Sequence, residues 1–473
     1  MTVTADAPTP APVAAPSRPA RRSLFSREHR ALSVGSIALA ALIAFEALAV
    51  STAMPTVAKA LDGIGLYALA FGGTLAAGVV SMVVSGLWND RSGPAHPMWT
   101  GVALFVVGLI LAGTATTMWT LIGGRVVQGL GGGMLSVSLY VVVGRAFPKE
   151  LHPRIFAAFA AAWVVPSIVG PALTGIIVEQ LHWRWVFLAV PLLAVPAALL
   201  VRPALRGMTT PAAERTGGRS KAAMAKVAWA VAAAGGALLF QYGGQQTGLL
   251  AVAVMAAALA VLAAAVPRLL PRGSFSFQRG LPATIMMRGL AGAAFAAADV
   301  FIPLMLSRER GLSPAMAGLA LTVGALFWSF GSWTQSRPNI RLSRAAIVRL
   351  GMAGILLGVV VVSLALIPAV PVALAMAGWS AAGFGMGMAY PTLSVLTLEA
   401  SAPGEAGANS ASLQLADSLA SAAVLAIVGA LFAALVTRPG PTAFIAVYAI
   451  SALFAVVGLV LAGRVAGPSA ARD

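Results

Sequence analysis

Apolar runs recur along this chain from residue 33 to residue 463, each of about 20 residues, the length that carries an α-helix across a hydrocarbon core of ~30 Å. Between them the chain has little with which to face water. Charged residues make up only 10% of the sequence, against roughly 25% in an average soluble domain. The runs are continuously apolar and do not alternate every second residue, which argues against a transmembrane β-barrel. The expected fold class is therefore an all-α integral membrane protein with no soluble domain of any size.

The pattern predicts fourteen helices, at about 33–58, 66–88, 97–117, 119–144, 153–178, 183–201, 223–241, 247–266, 281–305, 312–335, 344–366, 370–396, 406–436 and 441–463. An even number places both termini on one side. Basic residues then assign the side, because cytoplasmic loops carry the excess of Lys and Arg. One set of loops holds Arg91, Arg145, Lys149, Arg154, Arg202, Lys221, Lys226, Arg268, Arg272, Arg279, Arg337, Arg341 and Arg344. The opposite set holds only Lys59, Arg184, Arg308, Arg310 and Arg438. The first set and both termini are expected in the cytoplasm, with the helices in the plasma membrane. The net charge of +17 is this loop asymmetry and does not imply nucleic acid. Without cysteine there is no disulfide and no thiolate metal site, and no metal or cofactor is expected. Residues 1–30, rich in Ala, Pro and Arg, lack the apolar stretch of a signal peptide and read as a disordered basic tail.

The two halves repeat weakly. Gly129-Leu-Gly131-Gly-Gly133-Met134 in the fourth helix is echoed by Gly383-Phe-Gly385-Met-Gly387-Met388 in the twelfth, and Gly86…Asp90-Arg91 by Gly331…Gln335…Arg337. The expected organisation is a six-helix unit at 31–202, loops and a two-helix hairpin within 203–280 (the hairpin itself at 223–266), a second six-helix unit at 281–464, and a short tail at 465–473. Parallel repeats of this kind place a substrate site between the halves near the bilayer midplane.

Ionisable side chains inside membrane helices cost about 2.5–3.5 kcal/mol each on insertion scales, and they usually face a cavity or a partner. Four stand out: Glu46, Arg125, Asp299 and Asp417. Burial and a nearby arginine pull the proton affinity of a carboxylate in opposite directions, a condition suited to a proton carrier. The alternative for each is an ion pair that only locks helices together. Glu179 and Glu399 fall at helix ends and read as solvated. Phe45, Trp163, Phe295, Trp328, Met386 and Tyr390 are of the types that line adaptable apolar cavities, although most such residues simply pack against neighbouring helices or lipid.

Several short motifs occur in order. Glu46 precedes Pro55 in the first helix, and Gly86-Leu-Trp-Asn-Asp90-Arg91-Ser-Gly93 follows the second. Arg125-Val-Val-Gln128-Gly129 lies in the fourth helix, Gly170-Pro171 with Gly175 in the fifth, and Trp183-Arg184-Trp185-Val-Phe187 opens the sixth. Together they resemble the major facilitator superfamily, in particular its fourteen-helix drug:proton antiporter branch, over about 35–463. The resemblance implies proton coupling through Glu46 and Arg125. It also implies conformational roles for Gly86, Asp90, Arg91, Gly93, Gln128, Gly129, Gly170, Pro171 and Gly175, with Asp90 and Arg91 forming a cytoplasmic latch. The chain departs from the family with Pro94-Ala95-His96 where further basic residues are usual, and with Pro166 and Thr174 where Gly is preferred.

The implied function is export of small lipophilic or amphipathic compounds in exchange for protons, by a monomer in the lipid bilayer. Intramembrane carboxylates would favour cationic substrates, an inference that Arg125 weakens. Export of one dedicated metabolite or lipid, proton-coupled uptake, and sodium in place of protons remain alternatives. A membrane-embedded transferase is remote, because all four histidines (His29, His96, His152 and His182) lie in the tail or in loops and no Asp or His cluster sits at a membrane face. No nucleotide-binding motif is present, so the energy source is expected to be an ion gradient.

Overall fold

A computed structural model describes residues 23–63, 66–206, 208, 220–243, 248–312, 314–337, 339–435, 438 and 440–466. Their regular structure is helical throughout. The first six helices are α1 (Arg30–Ala60), α2 (Tyr67–Ser92), α3 (Ala95–Gly113), α4 (Met118–Ala146), α5 (His152–Ile176) and α6 (Arg184–Leu205). A hairpin follows, α7 (Ser220–Gly243) and α8 (Gly248–Leu269). The second set is α9 (Leu281–Asp299), α10 (Ile302–Arg310), α11 (Pro314–Gln335), α12 (Arg344–Ser363), α13 (Val372–Glu399), α14 (Ala406–Leu435) and α15 (Thr442–Leu461). Thirteen spans among the described residues are long and apolar enough to cross a membrane, and α11 occupies the stretch expected for a further one. Helices are the natural outcome here, because lipid offers no partner for an unpaired backbone amide.

One expected span differs. The ninth, predicted as continuous over 281–305, is broken after Asp299, and its second part runs on to Arg310. Pro303 supplies the physical reason: it has no amide hydrogen to donate to the Asp299 carbonyl one turn earlier. Arg308 and Arg310 accordingly lie on a helix rather than in a loop, and Arg310 donates to the carbonyls of Ile367 (2.9 Å) and Pro368 (3.2 Å) beyond α12.

Two apolar cores form. One unites residues of α1 to α6 around Leu109, Leu121, Leu135 and Phe187; the other unites α9 to α15 around Met352, Trp379, Phe444 and Tyr448. The glycine echo becomes a packing echo. A Cβ at Gly131 would meet the α3 backbone at Phe105 and Gly101, whereas one at Gly385 would meet the α12 backbone at Gly351, Gly354 and Ile355. Small residues at such positions let membrane helices approach closely. Helices α2, α3 and α4 thus correspond to α11, α12 and α13.

The two sets of helices meet through α2 with α14, α5 with α11 and α13, and α4 with α14; α1 and α9 have no comparable packing among the described residues. The named contacts lie at the end of the molecule where the basic loops cluster, called here the basic face. Exposure along α5 shows where the contact stops. From His152 to Ala160 no residue is exposed, whereas Ala161, Trp163, Val165, Ile168 and Val169 all are. On α1 no residue from Gly35 to Glu46 is exposed, and Ala47, Ser51, Thr52 and Pro55 then form an uncovered face. The two halves are sealed at the basic face and uncovered toward the other.

Candidate functional site

Glu46 on α1 and Arg125 on α4 form a buried ion pair, at 5% and 4% exposure. Arg125 Nη1 donates to Glu46 Oε1 and also to Gln128 Oε1 at 2.6 Å. The guanidinium stands 6.0 Å from the Phe71 ring of α2. Among the described residues its Nε is buried without a hydrogen-bond partner, so the cation keeps an unspent donor. Ala47, the neighbour of Glu46, opens the uncovered face of α1. The pair therefore sits where the seal between the halves ends.

The second half carries an ionic site that the sequence reading only half found. Asp417 on α14 accepts from Arg288 Nε on α9 at 3.1 Å and from the Tyr390 hydroxyl on α13 at 2.6 Å. Arg288 Nη1 donates to the Tyr390 carbonyl and to Ser394 Oγ, both at 3.2 Å, and its guanidinium lies 3.6 Å from the centre of the Tyr390 ring. Arg288 was missed because it lies close to the start of its apolar run and matches no motif. Its only signal was a charge seven residues into a membrane helix. The glycine echo places Trp379 of α13 where Arg125 stands in α4, so the second half carries its arginine on a different helix.

The two pairs sit at different depths. Arg125 is seven residues into α4 and Arg288 seven into α9, about 10 Å each at 1.5 Å per residue. These helices start at opposite faces, so Arg288 lies near the sealed basic face and Arg125 nearer the uncovered one. Asp299 stands apart. It ends α9 at the helix break, partly exposed, and no ion pair or hydrogen bond to its side chain is recorded among the described residues.

The aromatic expectations divide. Phe295 stacks on Trp379 at 4.4 Å and meets Trp328 edge-on at 5.3 Å, and Trp328 meets Tyr390 at 5.3 Å. Phe295, one turn before Asp299, thus begins a ladder of rings that leads down to the Asp417 site. Met386 does not line the space between the halves. It is 1% exposed, on a stretch of α13 held against α12 and α11 by Gly385 and Gly387. Trp163 is exposed on the uncovered part of α5, away from this ladder, and Phe45 lies on the first core near Gly170.

At the basic face Asp90 accepts from the amides of Gly407 (2.7 Å) and Ala408 (2.8 Å) in the first turn of α14. Carboxylates are favoured there, because the first amides of a helix lack internal partners and the helix dipole is positive at that end. Gly86 makes the approach possible, since a Cβ would stand 2.8 Å from the Gly407 carbonyl oxygen and 2.9 Å from the Ala411 Cβ. Gly93 ends α2 with φ +79°, a conformation that favours glycine. The expected role of Arg91 needs correction. Arg91 is exposed and takes no part in this latch; the nearby cation is Arg145, which donates to the Asn89 carbonyl at 3.4 Å. In the repeat, Gln335 of α11 donates to the Pro153 carbonyl of α5 at 3.3 Å.

Gly129 packs α4 against the α2 backbone at Thr74. Among the described residues Gly170 has Leu48 and Phe45 at 3.9 Å, and Gly175 faces open space, so α5 is loosely packed at these two glycines whereas α4 is tight at Gly129, Gly131 and Gly133. The side chain of Pro171 lies outside the described residues. Glu179 is exposed, as expected, whereas Glu399 is not merely solvated but pairs with Arg344 at 2.9 Å.

The sequence model of the Major Facilitator Superfamily matches residues 36–425. The chain belongs to this superfamily. A Mycobacterium tuberculosis superfamily protein named as a multidrug-efflux transporter is 29% identical over 402 residues, covering 80% of this chain and 82% of its own. The multidrug efflux pump SdrM of Staphylococcus aureus is 26% identical over 367 residues, covering 76% and 80%. In fold, the chain is similar to the human organic anion transporter MFSD10, with a TM-score of 0.66 at 14% identity over 91% of this chain and 99% of that one. Superfamily membership makes this a multi-pass membrane transporter and not an enzyme.

Proposed function

We propose that the chain exports lipophilic or amphipathic compounds in exchange for protons by alternating access, with its basic face in the cytoplasm and its described conformation facing outward. The observation that carries this reading is the buried Glu46–Arg125–Gln128 constellation, set where the seal between the halves ends. Protonation of Glu46 would release Arg125 from its partner and leave an uncompensated buried cation. A large penalty of that kind, about 3–5 kcal/mol when one partner of a buried pair is lost, is enough to favour a different packing of α1 against α4. The membrane potential adds about 2.3 kcal/mol per charge per 100 mV. The efflux names of the two bacterial relatives favour export over uptake.

Charge balance bears on the substrate. Glu46 offsets Arg125 and Asp417 offsets Arg288, which leaves the carboxylate of Asp299 one turn from the Phe295 ring. A carboxylate beside aromatic faces suits a lipophilic cation. The experiment uses purified protein in liposomes with an internal pH dye, challenged with lipophilic cations and neutral drugs. Proton flux that requires drug and disappears in Glu46→Gln is the expected result. Loss of the cation preference alone in Asp299→Asn would assign that residue to substrate. Drug transport without proton movement in the unsubstituted protein would overturn antiport.

A further inference from the structure

The α7–α8 hairpin bridges the halves along one seam and leaves the other bare. Val227, Ala230 and Ala233 of α7 pack with Val79, Met82 and Val83 of α2. At the basic end of α8, Val266 and the following Leu270 pack with Ile285 of α9 and with Leu413 and Ala416 of α14. Lys226, Leu269, Ala408 and Leu415 close round the junction and leave about 10 Å³ between them, no more than the space of one water. The hairpin is thus tied to α2 in one half and to α9 and α14 in the other. Its own two helices are closely knit, with Gly236 against Leu262 and Gly243 against Met255, the small-residue packing that lets membrane helices touch.

The α5–α11 seam has no such cover. Among the described helices α5 packs closely with α1, α4, α11 and α13, and α11 with α5, α10 and α13, all of them members of the two halves. The repeat sharpens the contrast, because α2 and α11 are counterparts. In the register that aligns Gly86 with Gly331, Met82 and Trp88 correspond to Phe327 and Trp333. No residue of α2 from Ala76 to Asp90 is exposed, whereas Leu326, Phe327, Phe330 and Trp333 of α11 all are. Phe330 stands 5.8 Å from Trp333 and 5.7 Å from Phe384 of α13, a cluster of rings against which flat apolar compounds can gather.

Both seams must part when the basic face opens, and each would then be a doorway from the bilayer. We infer that the hairpin curtains one of these two lateral doorways, so that lipophilic compounds dissolved in the cytoplasmic leaflet enter between α5 and α11 alone. This rests on the proposed lipophilic substrate, since such a compound is driven out of water into the bilayer and meets the transporter from its side.

The test uses a phosphonium cation carrying a photoreactive diazirine, equilibrated with proteoliposomes of the full chain. Asp90→Asn opens the basic face for it. Gly86→Leu, whose side chain would press on Gly407 and Ala411, serves where Asp90→Asn does not. Spin labels at Lys149→Cys and Arg341→Cys, exposed on opposite halves of a chain without native cysteine, score the opening. Adducts mapped by mass spectrometry at Ala157 of α5 and Ser332 of α11, both buried in the sealed form, should rise several-fold on opening. Those at Val83 and Leu415, buried beneath the hairpin, should not. Ala230→Trp with Ala233→Trp, or the milder Ala233→Leu, displaces α7 from α2 and should bring adducts to Val83 and Leu415, in protein whose thermal unfolding shows it folded. Equal adducts along both seams of an opened protein, or none along α5–α11, would overturn the inference. One-sided adducts without drug-driven proton flux would leave it standing and overturn antiport instead, so the two readings fail separately.

Discussion

The two halves of the molecule solve the same problem, an arginine inside a membrane helix, in opposite ways. In the first half Arg125 sits on α4 and its carboxylate on α1; in the second Arg288 sits on α9 and its carboxylate on α14. The first pair is the more buried, with side-chain exposures of 5% and 6% against 8% and 23%. It is also the less satisfied, since Arg125 Nε has no partner among the described residues while Asp417 holds two donors and Arg288 reaches a carbonyl and a hydroxyl as well. A repeat conserves packing more readily than chemistry: glycines recur because backbones must touch, whereas charges are free to move to whichever helix faces the task. The underfilled pair is the one suited to switching, and the saturated pair is suited to staying closed.

Removing one arginine at a time breaks this comparison most sharply. Arg125→Ala leaves Glu46 buried with no cation, and a loss of about 3–5 kcal/mol is expected in detergent unfolding. Arg288→Ala should cost less, because Asp417 is more exposed and keeps the Tyr390 hydroxyl. Equal losses would mean that the two sites do not differ as their hydrogen bonds imply.

A smaller effect separates the two ties at the basic face. Asp90→Asn weakens two charge-assisted bonds at the start of α14, worth about 2 kcal/mol between them, and should visibly populate a form open at that face. Gln335→Ala removes a neutral bond of about 1 kcal/mol and should open it less. Spin-label distances across the seam check both, and a larger opening in Gln335→Ala would reverse the order. The smallest effect is expected from Tyr390→Phe, which removes one donor from Asp417 while the arginine remains. A loss of at most about 1 kcal/mol with transport retained is predicted; abolished transport in a stable Tyr390→Phe protein would instead make that hydroxyl part of the coupling machinery.

Much of this protein was legible in its sequence because the bilayer reads sequence directly. Span length and hydropathy are local quantities, so the helices emerged close to their observed limits. The break at Asp299 is the exception, since a proline effect one turn downstream is invisible to a hydropathy window. Glu46 and Arg125 were recognisable because motif and burial cost coincided there, and Asp90 from its motif alone. Arg288 and Arg145 had no such support. Whether Arg288 is paired depends on Asp417, 129 residues away, and the cation that serves the latch turned out to be Arg145 rather than the adjacent Arg91.

Hydrophobic length along the chain was thus sufficient to determine the fold class, the spans and the positions where charge would be costly. Partner choice, the depth at which each pair sits, the face that is sealed and the hairpin's grip on both halves were decided only in the tertiary structure. The physical reason is range. Insertion into lipid acts on about 20 consecutive residues at a time, whereas a buried charge is satisfied by whatever group folding brings within hydrogen-bond reach.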